Sequence, residues 1–497
     1  MMVRAAWIWG MLLAGGATAA QTRPPATPPT TPPTMTVKAR SEQTAVIHGR
    51  RLAYAAEVGL VPVASKAGRP DATAGYISYA RAAAAGPDRP VLFVFNGGPG
   101  AASAFLQMGA LGPFRAQVPQ DPAAPLPAAA PVIANPDTLL DVADLVFLDP
   151  PGTGFSALAA DADTAFYRSV KGDADAVAQL ARGWLAAHGR SAAPLYILGE
   201  SYGTIRAAAM VDALHEQDPT LTLRGVLLLG QALNMIETSQ RPDNVVTYPV
   251  SLPTLAAIAC YHHVRPAPCT PEGSAREASA YAEPYLAALF RGRALDAAGR
   301  AAVAARLEAL TGIPRAYYLA HDLRISKEQF RVELLRARGK VLGRYDARYT
   351  APRAADAGDT VGPDAFSAVS DLYGKAVIGQ LTRIGVIDAA AYRATVRGGD
   401  DWRYGSGDSP FNDWPFMARL ERAMAATPGL RLFVGTGLYD LTTTVGAADY
   451  LFAQSSLAPD RYHDARYPAG HVAYSDDASW RLLMRDLRAF LATGAAH

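Results

Sequence analysis

The segment Gly199-Glu200-Ser201-Tyr202-Gly203 sets a serine between two glycines, after the apolar run "PLYIL" and before the alanine-rich stretch "TIRAAAM". Gly-x-Ser-x-Gly at a strand-to-helix turn holds its serine in a strained backbone geometry that bulky neighbours would obstruct. The helix N-terminus behind it favours negative charge on an attacked carbonyl oxygen. The competing reading of Ser201 is a small polar residue capping a helix. A serine nucleophile needs a base and an orienting acid, and in this architecture they follow in the order Ser, Asp or Glu, His. Asp440 closes "LRLFVGTGLYD" and His471 lies in "RYPAGHVAYSD", each at the carboxyl end of a predicted strand. His471 would take the serine proton, and Asp440 would hold the imidazole tautomer. Singly, Asp440 also reads as a turn residue and His471 as a surface-loop residue. Two backbone donors would hold the oxyanion: the N–H of Tyr202, and that of Gly98 in "NGGPG", where glycines allow close approach of the chain. Alone, "NGGPG" is also an ordinary tight turn.

These residues need a framework. The runs "VLFVFNGG", "DLVFLDPPGTG", "PLYILGES" and "GVLLLG" are continuous and apolar, as in strands buried on both faces of a parallel sheet. Helical spacing in "VKGDADAVAQLARGWLAAH" separates the second from the third, which implies βαβ units. Earlier, "TAVIHGRRLAYAAEVGLVPV" and "GYISYARAA" predict an antiparallel start to the same sheet. The pattern stops near Met235 and resumes with "LRLFVGTGLYD", ending in a terminal helix, "SWRLLMRDLRAFLA". The expected fold is α/β, a central, mostly parallel sheet built from 42–235 and 398–497. Residues 236–397, with patches such as "GRAAVAARLEAL", are expected to form a mainly helical cap insertion. A separate helical domain without an active-site role is the alternative.

Composition narrows the function classes. The chain has 497 residues, 50% hydrophobic and 19% charged, with net charge +2. Its basic residues are scattered, so no nucleic-acid partner is expected. Residues 1–20 read as a signal peptide, with Arg4 before an apolar run and small residues in "GATAA" for cleavage; an uncleaved anchor is the alternative. A Pro/Thr-rich linker is expected over 21–41. The later sequence has no run of 18 apolar residues, so no membrane span is expected after cleavage and a periplasmic or secreted protein is. Cys260 and Cys269 are the only cysteines and can bridge in an exported protein. Two reduced thiols, or a metal site with His262 and His263, are the alternatives. Adjacent histidines point in different directions, which disfavours the metal. The serine chemistry requires neither a metal nor an organic cofactor.

Four segments together carry a family resemblance. "FNGGPGAAS", "LVFLDPPGTGFS", "GESYG" and "YPAGHVAYS" resemble, in the same order, the motifs of the serine carboxypeptidases, acid-active exopeptidases of the α/β-hydrolase fold. The resemblance implies a peptide or protein substrate, and it implies that Asn96 and Glu200 bind the substrate's terminal carboxylate. A carboxyl beside a carboxylate must be protonated to donate, which favours acid conditions. Three positions depart from the family. Its tryptophan is Val94 here, its second glutamate is Ala110, and the cysteine after the glycine loop is Ala101. Arg206, one turn beyond Ser201, could replace the lost glutamate by charge or could serve a structural salt bridge. An esterase, an acyltransferase, another peptidase or a catalytically silent binding protein could share this framework.

Overall fold

The computed structural model describes residues 35–493, except 67–68, 82–85, 87, 242, 266–267, 354–357, 397–400 and 406–412. The expected signal peptide and most of the expected linker lie outside the described residues. The main strands are β1 (Thr36–Ile47), β2 (Arg50–Val63), β3 (Ala72–Arg81), β4 (Val91–Phe95), β5 (Asp144–Asp149), β6 (Leu195–Glu200), β7 (Leu223–Leu229), β8 (Arg431–Gly437) and β9 (Tyr462–Tyr467). They form one sheet in the order β1-β2-β3-β5-β4-β6-β7-β8-β9, with a two-residue strand, Ala157–Leu158, beside β3. The first three strands and their junction with β5 are antiparallel. From β5 to β9 every pairing is parallel.

Side-chain alternation explains why the central runs are apolar throughout. Leu92, Val94, Leu145, Phe147 and Leu198 enter the core on one face. Val91, Phe93, Val146, Leu148 and Ile197 enter the core on the other. A strand covered on both faces needs apolar residues at odd and even positions alike. Helices α1 (Val170–Ala187) and α2 (Tyr202–Gln217) cover the second face. This is the α/β-hydrolase fold: a mostly parallel sheet wrapped by helices, with a mainly helical cap insertion.

Two expected boundaries are corrected. β1 begins at Thr36, inside the stretch expected as linker to residue 41, and pairs with β2 from Thr36↔Leu60 onward. As an edge strand its side chains are largely exposed, so "TVKARSEQ" carries a linker-like composition while its backbone completes a ladder. The second correction concerns the insertion. Its helices α3 (Thr247–Tyr261), α4 (Pro271–Ser279), α5 (Ala282–Arg291), α6 (Ala297–Thr311) and α7 (Lys327–Glu333) share their own core, which includes Ile258, Leu307 and Phe330. The next helix, α8 (Ser367–Ile384), instead buries Leu372, Val377 and Leu381 against the first face of the sheet. It is therefore part of the hydrolase core, not of the cap. The described residues between 35 and 493 fall in one compact unit. Cys260, at the end of α3, is disulfide-bonded to Cys269, just before α4.

Candidate active site

Parallel strands bring their carboxyl ends to one edge, and the singled-out residues gather there. β4 ends beside β6 with Phe95 opposite Gly199, and β6 ends beside β7 with Glu200 opposite Leu229. Ser201 follows β6 with φ 59° and ψ −129°. A non-glycine residue at positive φ is costly and persists only where its surroundings hold it. The neighbours explain the flanking glycines: a Cβ on Gly199 would lie 2.2 Å from the Gly203 carbonyl oxygen, and one on Gly203 would lie 2.9 Å from that of Asn96. The Ser201 side chain makes no capping hydrogen bond to α2, so the helix-cap reading fails. The hydroxyl is left on a partly exposed turn.

His471 stands on the far side of β7. The Ser201 N–H donates to the Leu229 carbonyl (2.9 Å), and a Cβ on the next residue, Gly230, would touch the His471 ring at 2.8 Å. The His471 Nδ1 is 2.6 Å from Asp440 Oδ2. Both residues are buried, and His471 Nε2 has no hydrogen-bond partner among the described residues. Burial works against the imidazolium, but the charge and hydrogen bond of Asp440 outweigh it and raise the His471 pKa. Asp440 is fixed in turn: its Oδ1 accepts the N–H groups of Thr442 (2.6 Å) and Thr443 (3.0 Å), and its Oδ2 accepts the Thr443 hydroxyl (2.6 Å). An imidazole held this way can accept a proton at Nε2. Thr443 escaped the sequence reading, although "DLTT" is the pattern of a side chain folding onto the amides that follow it.

The glycine loop after β4 runs directly against the first turn of α2. A Cβ on Gly97 would lie 2.6 Å from the Tyr202 nitrogen. The N–H groups of Gly98 and Tyr202 donate to no backbone carbonyl among the described residues. Asp149 anchors this loop: its carboxylate accepts the Ser103 N–H (2.8 Å), the Ser103 hydroxyl (2.7 Å) and the Tyr392 hydroxyl (3.1 Å). Here two of the quoted segments, "GPGAAS" and "LDPPGTG", turn out to hold one another.

Glu200 and Asn96 are buried together. The Asn96 amide donates to Glu200 Oε1 (2.7 Å), and the Asn96 side-chain oxygen accepts the Leu106 N–H (3.0 Å). The Tyr474 hydroxyl also reaches Glu200 Oε1 (3.3 Å), while Oε2 is buried without a partner among the described residues. Burial pushes the Glu200 carboxyl up to about 7, against the opposing influence of His471 and these two hydrogen bonds. Tyr474 was not anticipated; its ring lies where a Cβ on Gly109 would lie, beside Ala110 in a one-turn π-helix at Gln107–Leu111. Arg206 donates to Asp173 Oδ2 (2.7 Å) and to the Asn96 carbonyl (2.6 Å) and is fully buried. It is a structural ion pair that supports the loop, and it does not replace the missing glutamate.

Residues 74–248 match the family profile described as serine carboxypeptidase, Peptidase_S10. No curated protein matches the chain by sequence. Among solved structures, the peroxisomal α/β-hydrolase Lpx1 of Saccharomyces cerevisiae aligns at 10% identity and TM-score 0.34, over 92% of this chain and 90% of its own. An enantioselective mutant of the epoxide hydrolase of Aspergillus niger aligns at 11% identity and TM-score 0.38, over 88% and 78%. MenH of S. aureus aligns at 12% identity and TM-score 0.35, over 84% and 98%.

Proposed function

We propose that this serine hydrolase, whose residues 74–248 carry the serine carboxypeptidase match, is an exported carboxypeptidase that removes C-terminal residues from peptides or proteins. One observation carries the reading. A serine at positive φ and a buried carboxyl of raised pKa at the end of β6 share the carboxyl edge of the sheet with a buried imidazole nitrogen that has no hydrogen-bond partner among the described residues. Ser201 Oγ attacks the scissile carbonyl as His471 Nε2 takes its proton. The Gly98 and Tyr202 N–H groups receive the oxyanion. As the intermediate collapses, His471 returns the proton to the departing amine and an ester to Ser201 remains. Water, deprotonated by His471, then attacks that ester and frees the enzyme. Asp440 keeps the imidazole oriented and stabilises its charged form. Glu200, neutral below about 7, offers a proton from Oε2 to the terminal carboxylate, with Asn96 holding it in place.

The departure at Ala110 removes the family's second carboxyl and makes an esterase or acyltransferase on the same machinery the rival reading. Peptides with a free C-terminus should be cut much faster than the same peptides amidated. Equal rates would leave a serine hydrolase without the exopeptidase assignment. A fluorophosphonate probe should label the wild type and not Ser201→Ala, whose kcat should fall on the order of 10⁴-fold or more. Equal labelling of both proteins would mean a silent protein on this fold.

A further inference from the structure

A cavity of about 610 Å³ is lined by Thr443 and Tyr345, both of which meet the His471 ring. Asn96 follows β4, whereas this cavity is lined by the segments after β7 (Gln231, Thr238, Gln240) and β8 (Thr442, Thr443), and by Lys327, Arg344 and Tyr345 of the insertion. The Tyr345 ring packs on that of His471 with centroids 5.6 Å apart, so the cavity adjoins the base. Its wall carries three cations, Lys327, Arg331 and Arg344, against two carboxylates, Glu328 and Asp364. Among the described residues, Lys327 Nζ makes one hydrogen bond, to the Thr442 carbonyl (3.1 Å), and has no carboxylate within ion-pair distance. The Gln240 amide nitrogen and the Thr442 hydroxyl are buried without a partner among the described residues. The Arg344 side chain is half exposed and meets Glu328 only at 3.9 Å. The two carboxylates are paired within the wall, chiefly to Arg331: it donates to Glu328 (2.5 Å) and Asp364 (3.3 Å), and Asp364 also accepts the Arg344 backbone N–H. Lys327, Arg344 and two unused polar groups thus line space that reaches the His471 ring through Thr443 and Tyr345.

We propose that this cavity is a specificity subsite for an acidic side chain next to the scissile bond, with Lys327 and Arg344 holding its carboxylate and Gln240 and Thr442 completing its hydrogen bonds. The inference rests on the hydrolase reading of Ser201 and adds the substrate class. Buried donors left unpaired by a neutral residue disfavour it, while a carboxylate satisfies them.

The test uses blocked short peptides that carry glutamate or glutamine on either side of the scissile bond, each as free acid and C-terminal amide. Wild-type kcat/KM should favour glutamate over glutamine at one of the two positions by about tenfold or more, in whichever C-terminal form is cut. That ratio should collapse towards one in Lys327→Met and in Arg344→Gln, both still labelled at Ser201 by a fluorophosphonate. A wild type with no preference for glutamate overturns the subsite, even if neither variant folds. A preference that survives both substitutions in labelled protein also overturns it. A lysine and arginine dependence seen only between acid and amide, whatever the side chain, assigns the cavity to the terminal carboxylate and overturns the side-chain proposal. Failure of the wild type to label is a separate result, against the hydrolase reading itself.

Discussion

Glu200 and His471 are pushed in ways that set opposite limbs of one pH profile. His471 must be neutral to accept the Ser201 proton, and Asp440 makes it hold its own proton to higher pH than a free imidazole, although burial opposes this. Glu200 must be neutral to donate to a carboxylate, and burial extends that state to about 7. The signs then fix the shape. On peptides with a free C-terminus, kcat/KM should rise as the imidazolium loses its proton and fall again as pH passes about 7 and Glu200 ionises against the substrate's negative charge. A neutral ester offers no carboxylate to repel, so its profile should lack the fall near 7. Glu200→Gln places an amide that donates at every pH and should remove the fall for peptides too. Profiles that descend together on both substrates would take Glu200 out of carboxylate recognition.

At the scale of the element, the turn from β6 into α2 stores strain for the sake of presenting one hydroxyl. Ser201→Ala and Ser201→Gly both remove the nucleophile, but only glycine is at ease at φ 59°. After the greater freedom of glycine in the unfolded chain is set against this, Ser201→Gly should be the more stable of the two by about 1 kcal/mol, read from urea unfolding midpoints. An alanine variant as stable as the glycine variant would mean that the turn is relaxed. The same element shows what is legible in a sequence. β4, β5, β6 and β7 stand out because burial on both faces makes whole runs apolar, and the elbow stands out because glycines are required where Gly199 and Gly203 meet backbone. β1 is hidden, since an edge strand with exposed side chains looks like linker. α8 is hidden for another reason: its pattern says helix, and only tertiary packing says which core it joins. Asp440 and His471 come into view through chain order, whereas Tyr474, Lys327 and Arg344 arrive beside them by long-range packing that no local pattern encodes.

The whole molecule ties the insertion to the acid and the base. Segment 344–348 of the insertion binds both loops: the Leu441 N–H donates to the Arg344 carbonyl (3.1 Å), the Ala347 N–H donates to the Tyr439 carbonyl (3.0 Å), and the His471 N–H donates to the Tyr345 carbonyl (2.6 Å). The insertion's core also takes in Leu438, Tyr439, Leu441 and Val445 from the turn that carries Asp440. Loosening the insertion should therefore disorganise the catalytic pair, even though none of its helices supplies the nucleophile. The Cys260–Cys269 disulfide gives a means of loosening it without changing a residue of the site. Closing so short a loop restricts the unfolded chain by about 2–3 kcal/mol, so Cys260→Ser with Cys269→Ser should lower stability by up to that amount. In urea, helical circular dichroism, to which the insertion contributes, and activity on a neutral ester should be lost together in the wild type. In the variant both midpoints should move down by the same amount, as for one cooperative unit. Ester activity that outlasts the unfolding of the insertion, seen as a first loss of helical circular dichroism without loss of turnover, would uncouple the cap from the acid and base loops.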